Sequence, residues 1–204
     1  MKLPKSAHTS RPWRIHELAH DFTVEDVWAL PAPGGPDELP RLVSQTVGGD
    51  FPEGAPLIVR FLWAARWKIG AVLRLDRPKS GIGARVPSLK ERMPDDLRAA
   101  PKGPESADFP FTSLYLLKDE WAAELANRTV HTVMHLSWVP DGSGGYRGQM
   151  AVLVKPNGWF GAAYMAAIKP FRYLIVYPAL MRAIERGWRK PGAGGRSPAR
   201  TPRP

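Results

Sequence analysis

Hydrophobic and polar residues alternate between residues 111 and 155, and this pattern predicts an antiparallel β-sheet. A glycine-rich stretch at 141–145 and the dipeptide Lys118-Asp119 both suit hairpin loops. One face of the sheet collects large apolar side chains and the other is mixed, so we expect one face to be covered. The four predicted strands are Phe111–Leu117, Glu120–Asn127, Thr129–Val139 and Tyr146–Lys155.

A long apolar segment, Gly158–Arg189, follows the strands and supplies the expected cover. Lys169 and Arg172 lie near its middle, and charges at that depth argue against a membrane span. Pro170 and Pro178 interrupt the helical hydrogen bonding and predict a kinked helix. The predicted fold class is therefore α+β, with a curved antiparallel sheet wrapped around a long kinked C-terminal helix.

Patterns before residue 111 are weaker. We expect a short strand at Trp13–Leu18 and a turn from Thr23 to Trp28, because a threonine hydroxyl can accept from free amide groups. The proline-rich run Pro31–Pro36 is expected to break the chain. Two helices are predicted next, at residues 37–47 and 56–75.

The second of these helices has an unusual outward face. Trp63 and Trp67 lie there between two arginines, a pattern that suits contact with a membrane surface. Packing of both rings under a neighbouring segment is the alternative, since surface tryptophans are usually covered.

The whole chain is expected to form one domain with tails. Residues 1–12 are predicted to be a flexible arm, residues 13–188 the folded domain, and residues 189–204 a disordered basic tail. Within the domain, the proline-rich segment 76–110 is predicted to be a loop, which either acts as a lid or merely connects the elements on either side.

The formal net charge is +10, with 29 basic and 19 acidic side chains. Its excess lies in the first 14 and last 19 residues, which carry four and six basic groups and no acid. We therefore expect no nucleic-acid partner, because such proteins concentrate basic groups on a folded face. The chain has no cysteine, which excludes disulfides and thiolate chemistry. No apolar signal sequence precedes Arg14, so a cytoplasmic location is expected.

The apolar sheet face and the final helix predict either a packed core or a pocket for a small hydrophobic molecule. Gly148 and Ala123 leave room on that face, methionines adapt to varied shapes, and Asn127 and Thr132 offer polar contacts. The residues expected to line the pocket are Trp121, Leu125, Asn127, Thr132, Met134, Leu136, Trp138, Met150, Val152, Tyr164, Met165, Ile168 and Phe171.

Histidines supply the candidate catalytic chemistry. His16-Glu17-Leu18-Ala19-His20 matches the H-E-x-x-H zinc motif, which needs a substantial helix and a third ligand. A break just after His20 argues against that helix. His131 and His135 share one strand face roughly 13 Å apart, too far to bind one ion. We expect both to be solvated or half-covered, with a polar contact at the pocket rim as the alternative.

Several segments together resemble the bacterial family called domain of unknown function 2867. The resemblance implies a helix-grip fold, similar to the lipid-transfer and polyketide-cyclase superfamily. It implies no known reaction, cofactor or catalytic residue. The segments that carry it are Gly148–Gly158, Tyr164–Pro178, Asn127–Val130, His135–Trp138 and, more loosely, Leu18–Leu30.

Three functions follow as hypotheses, and none requires a bound cofactor except the last. The first is a non-enzymatic binder of a lipid, isoprenoid or aromatic polyketide. The second is a cyclase or dehydratase that uses the same pocket, with Asn127, Tyr164 or a rim histidine moving protons. The remote third is a zinc hydrolase built on His16 and His20.

Overall fold

The computed structural model describes residues 1–49, 86–107, 109–127 and 130–189. In this part of the chain, six antiparallel strands form one open sheet in the order β1-β2-β6-β5-β4-β3. The strands are β1 Lys2–Leu3, β2 Thr23–Gly34, β3 Thr112–Leu116, β4 Glu120–Ala126, β5 Val130–Pro140 and β6 Tyr146–Pro156. The predicted strands between residues 111 and 155 are confirmed to within about two residues.

Short helices precede the meander and a long one follows it, which confirms the α+β class. They are α1 Ser6–Thr9, α2 Ile15–Leu18, α3 Leu39–Val47, a 3₁₀ turn Leu89–Arg92, α4 Asp95–Ala99, α5 Gly158–Phe171, a π-helical turn Arg172–Val176 and α6 Tyr177–Arg189. The π turn lies between Pro170 and Pro178, where the sequence predicted a kink. None of the helices described is long and apolar enough to cross a membrane.

The strand register defines two sheet faces. Leu136 pairs with Met150 across β5 and β6, and both point to what we call the helix face. His131 and His135 point to the opposite side, which we call the histidine face. Because side chains alternate along a strand, the register assigns the rest of the meander to one face or the other.

The helix face is closed at one end by α3 and α6. Leu42 of α3 packs against the sheet, and its Cδ2 lies 2.7 Å from where a Cβ on Gly148 would stand. Trp188 of α6 stacks near Trp138, with ring centroids 5.7 Å apart, and its indole donates to the Pro33 carbonyl at 2.8 Å. The prediction that Gly148 leaves room is therefore wrong, because Leu42 fills that space.

The histidine face is covered as well, contrary to expectation. Trp13, Ile15 and Leu18 pack on it from the N-terminal segment. Leu89 and Leu97 add a second layer from the segment after residue 86. This segment belongs to the predicted lid, but its described part covers the side of the sheet opposite the C-terminal helix.

Three predictions for the N-terminal region are wrong. Residues 13–18 form no strand, since Ile15–Leu18 is a single helical turn. Thr23 begins β2 rather than a turn, and β2 continues through Pro31 to Gly34. A register irregularity between Ala29 and Pro33 lets the strand absorb its prolines.

Residues 1–12 are attached to the sheet rather than free. Lys2 and Leu3 pair with Trp28 and Val27 of β2, and His8 is fully buried. The predicted helix at 56–75 with Trp63 and Trp67, and the tail beyond residue 189, lie outside the described residues.

Candidate functional site

The predicted lining residues separate into two groups. Trp121, Leu136, Trp138 and Met150 are buried at the closed end of the helix face, under α3 and α6. The Trp121 indole donates to the Ser113 hydroxyl at 2.9 Å. These four side chains form core packing.

The second group forms a strip that is only partly covered. Thr132 pairs with Leu125 on one side, and Met134 pairs with Val152 on the other. All four are half-buried, whereas the residues between them on the histidine face are buried. We call these four residues the open strip.

The remaining predicted lining residues differ in their placement. Met165 and Ile168 of α5 are half-buried, but Phe171 is 52% exposed. The side chain of Tyr164 lies outside the described part of the structure. Asn127 is buried in the β4–β5 turn, where its Oδ1 accepts from the Val130 amide at 3.0 Å and its carbonyl accepts from Asn157. Asn127 therefore stabilises the turn.

A polar cluster continues the open strip into β2. Asp26 pairs directly with Val152, and its carboxylate is buried. It accepts from Arg172 Nη2 and from the Tyr177 hydroxyl, each at 2.8 Å, and from the Tyr173 hydroxyl. Arg172 and Tyr173 belong to the π turn, and such turns are often found at functional sites.

Two nitrogens in this cluster lack partners. Arg172 Nη1 and Trp28 Nε1 are both buried without a hydrogen-bond acceptor among the residues that the structure describes. Tyr177 contacts both residues: its ring centroid lies 4.6 Å from that of Trp28, and its hydroxyl 2.5 Å from Arg172 Nη2. The sequence does not predict this cluster, because the pattern around Asp26 indicates a turn rather than a strand. The alternation of Asp26, Trp28 and Leu30 at every second position is the sequence signal that indicates a strand here.

A second polar network lies on the histidine face and begins at Glu120. Its carboxylate accepts from the Arg14 amide at 2.8 Å, from Tyr115, and from His135 Nε2 at 2.8 Å. His135 Nδ1 lies 3.2 Å from His8 Nε2, and His8 Nδ1 lies 3.3 Å from His16 Nε2. One assignment satisfies every contact: each ring donates through Nε2 and accepts at Nδ1. The three rings therefore form one buried hydrogen-bonded chain from half-buried His16 to Glu120.

Burial determines how these groups ionise. It lowers the pKa of His8 to about 2, reinforced by the neighbouring His135 and His16 rings. The pKa of His16 is also lowered, first by burial. Burial alone would raise the pKa of Glu120, but the hydrogen bond from His135 and the other donors outweigh it and lower that pKa. His8 is accordingly neutral and Glu120 ionised near pH 7.

Glu124 and His131 form a parallel pair. His131 Nε2 lies 2.9 Å from Glu124 Oε2, and both side chains are buried. The Leu89 amide and the Ser88 hydroxyl also donate to Glu124, which ties the segment after residue 86 to the sheet. The prediction that His131 and His135 are solvated or half-covered is therefore wrong, because each is bonded to a carboxylate on β4.

The geometry does not support a zinc site at the H-E-x-x-H motif. Its helix is a single turn, and His20 Nδ1 faces the Glu17 carbonyl at 3.4 Å. His16 belongs instead to the chain with His8 and His135, which uses both nitrogens of His8, so three ligands do not converge on one point. Across the described ranges, no group of three or more histidine or acidic residues could hold a metal ion.

Of three comparisons with known proteins, one found a match, and this match identifies a family. A search of curated proteins and a search of solved structures each found no significant match. The family model described as "Protein of unknown function (DUF2867)" matches residues 18–179, which is well over half of the chain. The chain therefore belongs to the DUF2867 family of proteins of unknown function.

Proposed function

We propose that this protein binds a small, largely apolar molecule on the open strip, between the sheet and the C-terminal helix. A lipid, an isoprenoid or an aromatic polyketide has the required chemistry. Affinity would come from the apolar surface removed from water, at roughly 25 cal/mol per Å².

The open strip is the observation that carries this proposal. Leu125, Met134 and Val152 lie on strands whose opposite face is largely buried, yet they themselves are only partly buried. The closed end of the same face shows how thoroughly α3 and α6 can cover it. An incompletely covered apolar surface inside a folded domain is typical of a binding site.

The topology supports the same proposal. β2 is followed by α3, and a four-strand meander then returns to place β6 beside β2 before the final long helix. This is the order of elements in helix-grip proteins, whose sheet and last helix enclose small apolar ligands. We include the helix-grip assignment in the proposal.

A binder fits the geometry better than the cyclase or dehydratase alternative. His135 lies on the opposite side of the sheet from the open strip, and the Asn127 side-chain oxygen already accepts a hydrogen bond. His135 therefore cannot reach a molecule on the strip, and the Asn127 oxygen is already used to stabilise the turn.

Binding of the neutral fluorescent probe N-phenyl-1-naphthylamine tests the proposal. Met134→Trp fills the strip and should weaken probe binding by about tenfold or more, because the site loses its volume. Leu174→Trp is the matched control, since Leu174 is 77% exposed on the π turn. Equal probe binding by both variants and the unmodified protein, or no binding by any of them, would refute the proposal.

A further inference from the structure

We propose that the ligand carries a carboxylate, received by Arg172 and Trp28 at the β2 end of the open strip. This inference rests on the proposed function and specifies its ligand: an amphiphile with an apolar body and an acidic end.

Hydrogen-bonding capacity is the first argument. Arg172 Nη2 is occupied by Asp26 and Tyr177, but Nη1 is buried without a partner. Trp28 Nε1, which can only donate, is in the same condition. Both unused atoms of the cluster are donors, so the missing partner is an acceptor. A carboxylate offers one oxygen to each.

Charge is the second argument. Within the described cluster, Arg172 and Lys2 face the single carboxylate of Asp26, at 2.8 and 3.9 Å. The nearby Lys169 pairs with Glu25 at 3.6 Å, so that pair is neutral. The cluster therefore carries one positive charge more than it neutralises, and this excess favours an anionic acceptor over a neutral one.

Position is the third argument. Met134 pairs with Val152, and Val152 pairs with Asp26, so the apolar strip and the polar cluster form one row across the sheet. Trp28 follows on the same face, paired with Met150. A molecule lying along the strip would end at the cluster, with its apolar part over Met134 and Val152.

Access runs past Lys2. Its amine donates to the Tyr173 hydroxyl at 3.0 Å and lies over the Tyr173 ring, at 4.2 Å from the centroid. The Lys2 side chain is about half exposed, so this contact is the outer wall of the cluster. When the contact between Lys2 and Tyr173 opens, Arg172 Nη1 and Trp28 Nε1 become accessible to the ligand. The Lys2 ammonium then lies at the entrance and adds a second positive charge.

The test compares dodecanoic acid with its methyl ester, measured by displacement of N-phenyl-1-naphthylamine at neutral pH. The two molecules share an apolar chain and differ in charge. We expect the acid to bind about tenfold or more tightly, as charge-assisted hydrogen bonds imply. Trp28→Phe keeps an aromatic ring but removes the donor, and should lower the acid-to-ester preference by about threefold or more.

Arg172→Gln should abolish the preference for the acid. If Arg172→Gln does not fold, the result for Trp28→Phe alone tests the carboxylate inference. Lys169→Gln is the control, because it removes one positive charge nearby without touching the cluster, and it should keep the preference. Equal binding of acid and ester would overturn the carboxylate inference and leave the proposed function standing. Binding of neither molecule, together with no binding of the probe, would overturn both.

Discussion

His8 Nε2 lies 3.2 Å from His135 Nδ1, and both rings are fully buried. His8 belongs to α1 in the N-terminal segment, and His135 belongs to β5, one of the two central strands of the sheet. The contact therefore ties the start of the chain to the centre of the sheet through one polar link inside an apolar layer.

Replacing His8 by phenylalanine should destabilise the fold. The ring volume is kept, but His135 Nδ1 and His16 Nε2 lose their partner inside the protein. Leaving buried polar groups unpaired costs about 1–3 kcal/mol. Urea unfolding followed by tryptophan fluorescence measures the change. His20→Phe is the control, because His20 is exposed, and a shift of similar size there would contradict the assignment.

Stability should fall as the pH drops below about 6.5. The pKa of His8 is about 2 in the folded state against 6.5 for the free side chain. Between these two pH values, His8 is protonated in the unfolded chain and neutral in the folded one. The free energy of unfolding then falls by up to about 1.4 kcal/mol for each unit by which the pH drops, for one such group. His16 acts in the same direction.

Urea midpoints measured between pH 7.5 and 5 test this expectation. The lowered pKa values of Glu120 and Glu124 contribute a loss only when the pH falls below about 4.5, their ordinary value. A decline that begins near pH 6.5 therefore reports the histidines, and His8→Phe should flatten it. Constant stability over that interval would show that His8 titrates normally.

Asp26→Asn should cost about 3–5 kcal/mol, because it leaves the Arg172 guanidinium in a buried site without its anion. Arg172→Met combined with Asp26→Asn should cost less than the sum of the single changes. Thermal and urea unfolding measure the coupling. Glu185→Gln breaks the exposed pair with Arg189 and should change stability by less than about 1 kcal/mol. Additive effects at Asp26 and Arg172 would disprove the pairing.

Gly148→Ala should destabilise the protein by about 1–3 kcal/mol, since the new methyl group meets Leu42 at 2.7 Å. In a Leu42→Ala background, the same change should cost much less. Gly35→Ala is the control, because its methyl group would meet only Glu38, at 3.9 Å. An equal cost of Gly148→Ala in both backgrounds would mean that Leu42 does not close this end of the helix face.

The meander and the final helix could be predicted because their patterns are local. Alternation at Thr129–Val139 specifies β5 and its two faces without knowledge of any other segment. The burial of His131 and His135 could not be predicted, because their partners Glu124 and Glu120 lie on another strand and their cover comes from distant segments. A polar side chain in an alternating pattern resembles a solvated one until its partner is known.

β2 and its cluster were missed for a related reason. Pro31 and Pro33 are strong signals for a break, and a strand tolerates them here only because of the irregularity in its pairing with β6. No local pattern connects Asp26 with Arg172, which lies 146 residues later in the chain. That connection exists only after β2 and the C-terminal helix meet on the same sheet face.

The place of β2 in the sheet also constrains how the protein is made. Trp28 pairs with Met150, so β2 leaves the ribosome about 120 residues before its long partner β6. At ordinary rates of translation, that interval is on the order of ten seconds. Within the described residues, only the two-residue β1 can pair with β2 before then. The nascent chain must keep an apolar strand out of intermolecular contacts until synthesis reaches the last strand.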